Sequence, residues 1–95
     1  MVSQLIITDD SVPSRNNDVI ERFGEEDLLL FHSSFGKLFE VNRVGREIWS
    51  KCDGSLTVRK IKKEISGRFS SSDTVGEDVE RFISRLFDLN LIHVI

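Results

Sequence analysis

The sequence predicts an α+β fold: a winged helix-turn-helix in which a three-stranded antiparallel N-terminal sheet precedes three helices, the order being β-β-β-α-α-α with a short C-terminal strand. Three observations carry this expectation. Apolar residues alternate with polar ones up to Val41 and recur at 3.6-residue spacing after it, so the chain turns from sheet to helix at Val41-Asn42. Turn-forming stretches divide the first part into short runs of strand length. Three helical stripes then follow, and three short helices with a small sheet are the parts of a winged helix-turn-helix.

Residues 1–18 read as an N-terminal arm and residues 19–95 as the domain. Within the arm, Leu5-Ile6-Ile7-Thr8 suits a short strand, and Asp9-Asp10-Ser11 and Pro13-Ser14-Arg15-Asn16-Asn17 suit loop. Such an arm docks on the sheet, docks on another protomer, or frays, and its residues do not choose between these.

Val19–Phe23 alternates, with Val19, Glu21 and Phe23 on one face, and Gly24-Glu25-Glu26 makes a turn. Asp27–His32 contains the continuous apolar run Leu28-Leu29-Leu30-Phe31, the pattern of a central strand covered on both faces. Ser33-Ser34-Phe35-Gly36 is a four-residue hairpin loop with Gly36 at the positive-φ position. Lys37–Val41 alternates again, with Phe39 and Val41 on one face and Leu38 and Glu40 on the other.

Asn42 is placed to cap the first helix, because its side-chain oxygen can accept a backbone N–H of the first turn. Val44, Ile48, Trp49 and Cys52 form the apolar stripe of that helix, and Asp53-Gly54 ends it in a turn. Thr57 caps the second helix, whose stripe is Val58, Ile61, Ile65 and Phe69. Ser70-Ser71-Ser72-Asp73 is a linker, and Thr74-Val75-Gly76-Glu77 matches a capping box. The third helix runs from about Val75 to Leu89. Val79, Phe82, Ile83, Leu86, Phe87 and Leu89 cover an arc of roughly 160° on it, wider than one core contact requires. One edge of this helix is therefore expected to stay open for a partner. Asn90 ends it in the left-handed conformation, and Leu91–Ile95 reads as a terminal strand.

Composition narrows the function. Ninety-five residues, 39% hydrophobic and 31% charged, suit one small soluble domain with a core rich in its seven Phe and single Trp. A net charge of −3 argues against non-specific nucleic-acid binding, which depends on neutralising phosphates. Cys52 is the only cysteine, which excludes an intrachain disulfide and fits a reducing, cytoplasmic setting. No signal peptide and no apolar run of membrane-spanning length is visible, so no membrane association is expected.

No catalytic constellation stands out. His32 and His93 are isolated, the metal-ligating residue types are scattered, and no glycine-rich phosphate loop occurs, so neither an enzyme, a metal nor a cofactor is expected. Cys52 lies on the apolar stripe beside Trp49 and reads as a buried structural thiol. The second helix carries Arg59, Lys60, Lys62, Lys63 and Arg68 against the single acid Glu64. This face is a solvated surface, a DNA contact of the helix-turn-helix kind, or a docking face for an acidic partner enzyme. The residue set for base readout is missing beside it.

The ordered run Val41-Asn42-Arg43-Val44-Gly45-Arg46-Glu47-Ile48-Trp49, then Cys52-Asp53-Gly54, Thr57-Val58, Ile61, Asp78-Val79, Phe82-Ile83, Leu86 and Leu91-Ile92 resembles the PqqD-like family over about Val12 to Ile92. Asn90 stands where that family usually has Gly, and the arm is longer than a minimal member needs. The resemblance implies a non-catalytic, stand-alone recognition element that binds the leader segment of a ribosomally synthesised precursor peptide. It also implies a partner enzyme: a radical-SAM protein in systems that make pyrroloquinoline quinone, or a leader peptidase with a cyclase in lasso-peptide systems. The leader is then expected to add as a strand beside Lys37–Val41, in a groove walled by Asp78–Leu89.

On that reading the peptide-binding residues are Lys37, Leu38, Phe39, Glu40 and Val41 of the strand, and Asp78, Arg81, Phe82, Arg85, Leu86 and Leu89 of the helix. An unpaired strand edge is a template for another extended chain, and main-chain pairing gives affinity with little sequence demand. Phe39, Phe82 and Leu86 are the candidate floor, and Arg81 and Arg85 suit acidic leader residues. The plainer reading of these residues is core for the apolar ones and solvated helix surface for the arginines. The alternative function is a small winged-helix DNA-binding regulator, and a third is a structural subunit. The chain is expected to be a monomer or an arm-mediated homodimer.

Overall fold

The computed structural model describes residues 7–68 and 75–95. In chain order the elements are β1 (Pro13–Arg15), β2 (Val19–Phe23), β3 (Leu28–His32), β4 (Lys37–Val41), α1 (Arg43–Lys51), α2 (Val58–Arg68), α3 (Val75–Asp88) and β5 (Ile92–Val94). The expected α+β architecture is present: the antiparallel sheet β2-β3-β4 comes first and the helices follow.

The sheet places β3 in the centre and leaves β2 and β4 as edges. Its register sets Ile20 opposite Phe31 and Phe31 opposite Leu38, with Arg22, Leu29 and Glu40 forming the next row on the same face. Leu28, Leu30 and Val41 turn inward and are fully buried. No described residue covers the other face of β3, contrary to the expectation from its continuous apolar run, and Phe31 is 36% exposed. The reason is architectural. The buried core residues of α1, α2 and α3 join the cluster of Leu28, Leu30 and Val41 on the inner face alone.

The helix ends follow local chemistry. Asn42 Oδ1 accepts the Gly45 N–H at 2.9 Å, and Thr57 Oγ1 accepts that of Lys60 at 3.1 Å. The inward position near the start of α1 belongs to Gly45 rather than Val44, which is 37% exposed, so the expected stripe is shifted by one residue there. Ile48, Trp49 and Cys52 are buried as expected. α3 ends with Asn90 at φ 61° and the Leu91 N–H bonded to the Leu86 carbonyl at 2.9 Å, which satisfies carbonyls the helix leaves open. Phe69, the linker Ser70–Asp73 and Thr74 of the capping box lie outside the described residues, as do Leu5 and Ile6.

Two segments depart from expectation. Pro13–Arg15, read as loop, is strand β1 and pairs antiparallel with β5, so that Ser14 faces His93. Ile7 and Thr8 belong to no strand, although Ile7 is buried in the core. From there the chain crosses the start of α2, where the Ser11 and Asp9 carbonyls accept the N–H groups of Val58 and Arg59, both at 2.9 Å. Those first-turn donors have no partner within the helix, so residues distant in sequence complete its cap. Asp9 and Asp10 also pair with Lys62 and Arg59, at 2.6 Å and 2.7 Å.

Candidate functional site

The outer edge of β4 has no strand beside it among the described residues. In an antiparallel pair every second residue turns its N–H and C=O away from the partner strand, so this edge presents a row of unmatched donors and acceptors. The edge runs beside α3. Phe39, on the inward face of β4 and half-buried, stacks on Phe82 of α3 with centroids 6.4 Å apart and planes at 28°. The Arg85 guanidinium, one helical turn on, lies 5.5 Å from the centroid of the Phe39 ring. The strand edge and the helix are thus joined by an aromatic pair with a cation on its rim.

A cleft of about 330 Å³ opens where the β3–β4 hairpin meets the end of α3. Lys37, Leu38, Phe39, Arg85 and Leu89 line it, and these are five of the residues singled out from sequence. His32, Phe35, Asp88 and Leu91 line it as well and were not. A signal for Phe35 existed, since it is an aromatic residue in a Ser-Ser-x-Gly turn, where small and polar residues are usual. The Phe35 ring lies 4.6 Å from that of His32, whose Nδ1 accepts the Ser34 N–H at 3.2 Å. The wall beside the hairpin is therefore a held aromatic surface. Charge in the cleft is mixed, with Lys37 and Arg85 against Asp88.

The remaining residues of the set lie elsewhere. Leu86 and Val41 are 0% and 1% exposed and belong to the core, without surface of their own. Arg81 is held to Asp78 by a 3.1 Å ion pair in solvent, nearer the start of α3, and neither residue lines the cleft. Glu40 points to the outer face of the sheet and borders a depression with Glu25, Glu26, Asp27 and Arg43; Leu38 shares that face and still lines the cleft.

Gly45 fixes the approach of α1 to this region. A Cβ on it would stand 2.5 Å from Val41 Cγ1 and 2.8 Å from Phe82 Cζ. The missing side chain leaves room for the edge of the Phe82 ring, and so helps set where the aromatic pair sits.

The shifted titratable groups have local causes. Burial pushes the Cys52 thiol up to about 12, and its Sγ lies 3.3 Å from the Ile48 carbonyl. Such a thiol is a poor nucleophile, because the thiolate is the reactive form. The Lys62 hydrogen bond holds Asp9 below the usual carboxylate range, and hydrogen bonds from Ser55 do the same for Asp53. No cluster of three or more His, Cys, Asp or Glu able to hold a metal occurs among the described residues. No helix among them is long and apolar enough to cross a membrane.

Comparison with known proteins adds three findings. The family described as Coenzyme PQQ synthesis protein D (PqqD) matches residues 20–92. A solved structure of TbiB1 in complex with the TbiA(beta) leader peptide superposes with a TM-score of 0.74 at 23% identity, over 84% of this chain and 94% of that one. No curated protein matches significantly.

Proposed function

The chain belongs to the PqqD family, and from that premise we propose that it binds the leader segment of a ribosomally synthesised precursor peptide as a strand added to β4. The observation that carries this reading is the edge of β4, unpaired among the described residues, beside the Phe39, Phe82 and Arg85 cluster. The fold shared with TbiB1, a protein solved with a leader peptide bound, supports it.

The edge supplies affinity through main-chain hydrogen bonds, which ask little of the peptide sequence. Specificity comes from the peptide side chains that alternate inward. One set meets the exposed parts of Phe39 and Phe82 and fills the cleft at the hairpin end. Acidic groups on that set meet Arg85 and Lys37. Arg81 and Asp78 serve only a peptide that extends toward the start of α3. Val41 and Leu86 keep the floor rigid. In this reading residues 19–95 form the recognition domain and residues 1–18 an arm.

Binding fixes the register and direction of an otherwise unstructured leader, which presents the rest of the precursor to a maturation enzyme in one orientation. That enzyme is a radical-SAM protein in a system making pyrroloquinoline quinone, or a leader peptidase with a cyclase in a lasso-peptide system. The role requires no chemistry from this chain.

The alternative, a small winged-helix DNA-binding regulator, draws on the basic face of α2. Arg59 and Lys62 are already paired with Asp10 and Asp9, which lowers the positive charge open to phosphate. An amide NMR titration separates the two readings, using synthetic leader peptides from precursor genes encoded beside this chain and, in parallel, duplex DNA. Saturable shifts at Lys37–Val41 and Asp78–Leu89 with a leader peptide are expected. Shifts confined to Arg59–Arg68, seen with DNA alone, would overturn the proposal.

A further inference from the structure

The outer face of the sheet is apolar and is left uncovered by the described residues. Ile20, Phe31 and Leu38 lie in one row across three strands and are 56%, 36% and 65% exposed. Beside this row runs a second one: Arg22 on β2, Leu29 on β3 and Glu40 on β4. The two charges occupy opposite edge strands, two strand spacings or roughly 9–10 Å apart across the apolar Leu29. Nothing on the inner face is involved.

This pattern is complementary to itself. A two-fold axis along β3, lying between two facing sheets, brings β2 of one copy over β4 of the other. Arg22 then meets Glu40 of the second copy, and Glu40 meets its Arg22. Ile20 meets Leu38 in the same exchanged way, while Leu29 and Phe31 each meet their own counterpart. An isologous dimer has this property, each contact being made twice with its members exchanged. The acidic Glu25-Glu26 turns come to the same end of such a pair, and the ~30° angle between packed sheets draws them apart.

We propose that the outer face of β2-β3-β4 is a homodimer interface, closed by reciprocal Arg22–Glu40 pairs around the row Ile20, Phe31 and Leu38. The face measures roughly 14 Å by 17 Å, well short of the ~800 Å² per partner of a stable complex. The association is therefore reversible and grows with concentration. It leaves the inner wall of the β4–α3 cleft of each copy, formed by Phe39, Arg85 and Leu89, open, while Leu38 at the strand edge belongs to both the cleft and the interface.

Sedimentation equilibrium of the full chain over a wide concentration range tests this. The expected result is a monomer–dimer equilibrium. Arg22→Glu alone and Glu40→Arg alone each weaken it about tenfold or more, since like charges then meet at both corners. An equimolar mixture of these two single variants associates again, because a heterodimer restores both opposite-charge pairs. Both side chains are exposed, so the variants keep their circular dichroism and melting temperature, and Leu38→Lys supplies an independent block of the same face. A chain that stays monomeric at the highest attainable concentration overturns the proposal. So does a dimer indifferent to Arg22→Glu and Leu38→Lys, or a mixture of the single variants that fails to associate.

Discussion

Phe39 and Phe82 stack with centroids 6.4 Å apart and planes at 28°, and this contact ties the edge strand β4 to the helix α3. Neither ring is fully buried. Each therefore belongs both to the packing that holds β4 against α3 and to the surface an added strand would meet. Their removal should affect stability and binding together.

Phe82→Ala removes the stack and part of the packing on Val41 and Gly45. Full burial of a Phe gives a loss of 3–5 kcal/mol on truncation, and a half-buried ring lies below that, at about 2 kcal/mol. Urea denaturation measures the loss. In leader titration the variant should bind at least tenfold more weakly under conditions where it remains folded.

Arg85→Glu separates binding from stability. The guanidinium sits over the Phe39 ring at an exposed position, where a cation–π contact contributes about 0.5–1 kcal/mol. The melting temperature should change little. Affinity for an acidic leader peptide should fall, and more than for a neutral one. Lys60→Glu with Lys63→Glu should leave leader affinity intact, because α2 takes no part in the cleft. Strong loss from that pair moves the site to α2.

Much of this arrangement was legible in the sequence because its causes are local. Period-two alternation marked β2 and β4, Asn42 and Thr57 marked the helix starts, and Asn90 marked the end of α3. What escaped depends on distant partners. β1 is three residues long, begins with Pro and pairs with β5 at the other end of the chain, so its own residues carry no strand pattern. The run Leu28–Phe31 shows apolarity on both faces of β3, but not that all the helices pack on one of them. The site was only partly legible for the same reason. Lys37, Phe39, Arg85 and Leu89 converge as their periodicities suggest. Leu86, however, faces the core by a single helical step, and Phe35 enters the cleft from a loop that has no period.

The arm should give the fold an acid-sensitive component. The Lys62 hydrogen bond lowers the pKa of Asp9 below its ordinary 3.8 in the folded chain. A depressed carboxylate contributes stability that is fully present above the unfolded pKa and is lost as pH falls through the lower folded value. Wild-type stability should therefore decline below about pH 4 more steeply than that of Asp9→Asn, and the two should differ by a constant amount near neutrality. Thermal melts from pH 2 to 7 measure this. Parallel curves would show that the Asp9–Lys62 pair adds nothing to folding.

Cys52 should be silent in the native protein. Its thiol is buried and its pKa is raised to about 12, so almost no thiolate exists near pH 8. A chromogenic disulfide reagent should label it only as fast as the protein opens, and immediately in denaturant. Prompt native labelling would place the thiol at a reactive surface.

Gly45 offers the sharpest test of how α1 positions the aromatic pair. Gly→Ala in a helix ordinarily gains about 1 kcal/mol from propensity. Here the added methyl would meet Val41 at 2.5 Å and Phe82 at 2.8 Å, closer than carbon atoms tolerate. Over-packing of this kind costs about 1–3 kcal/mol, so Gly45→Ala should be destabilising despite the better helix former. The clash has a specific address, which a double-mutant cycle can find. In a Phe82→Ala background half of the obstruction is gone, and Gly45→Ala should cost less there than in the wild type. Equal cost in both backgrounds would put the strain on Val41 alone and leave Gly45 with no part in placing the aromatic pair.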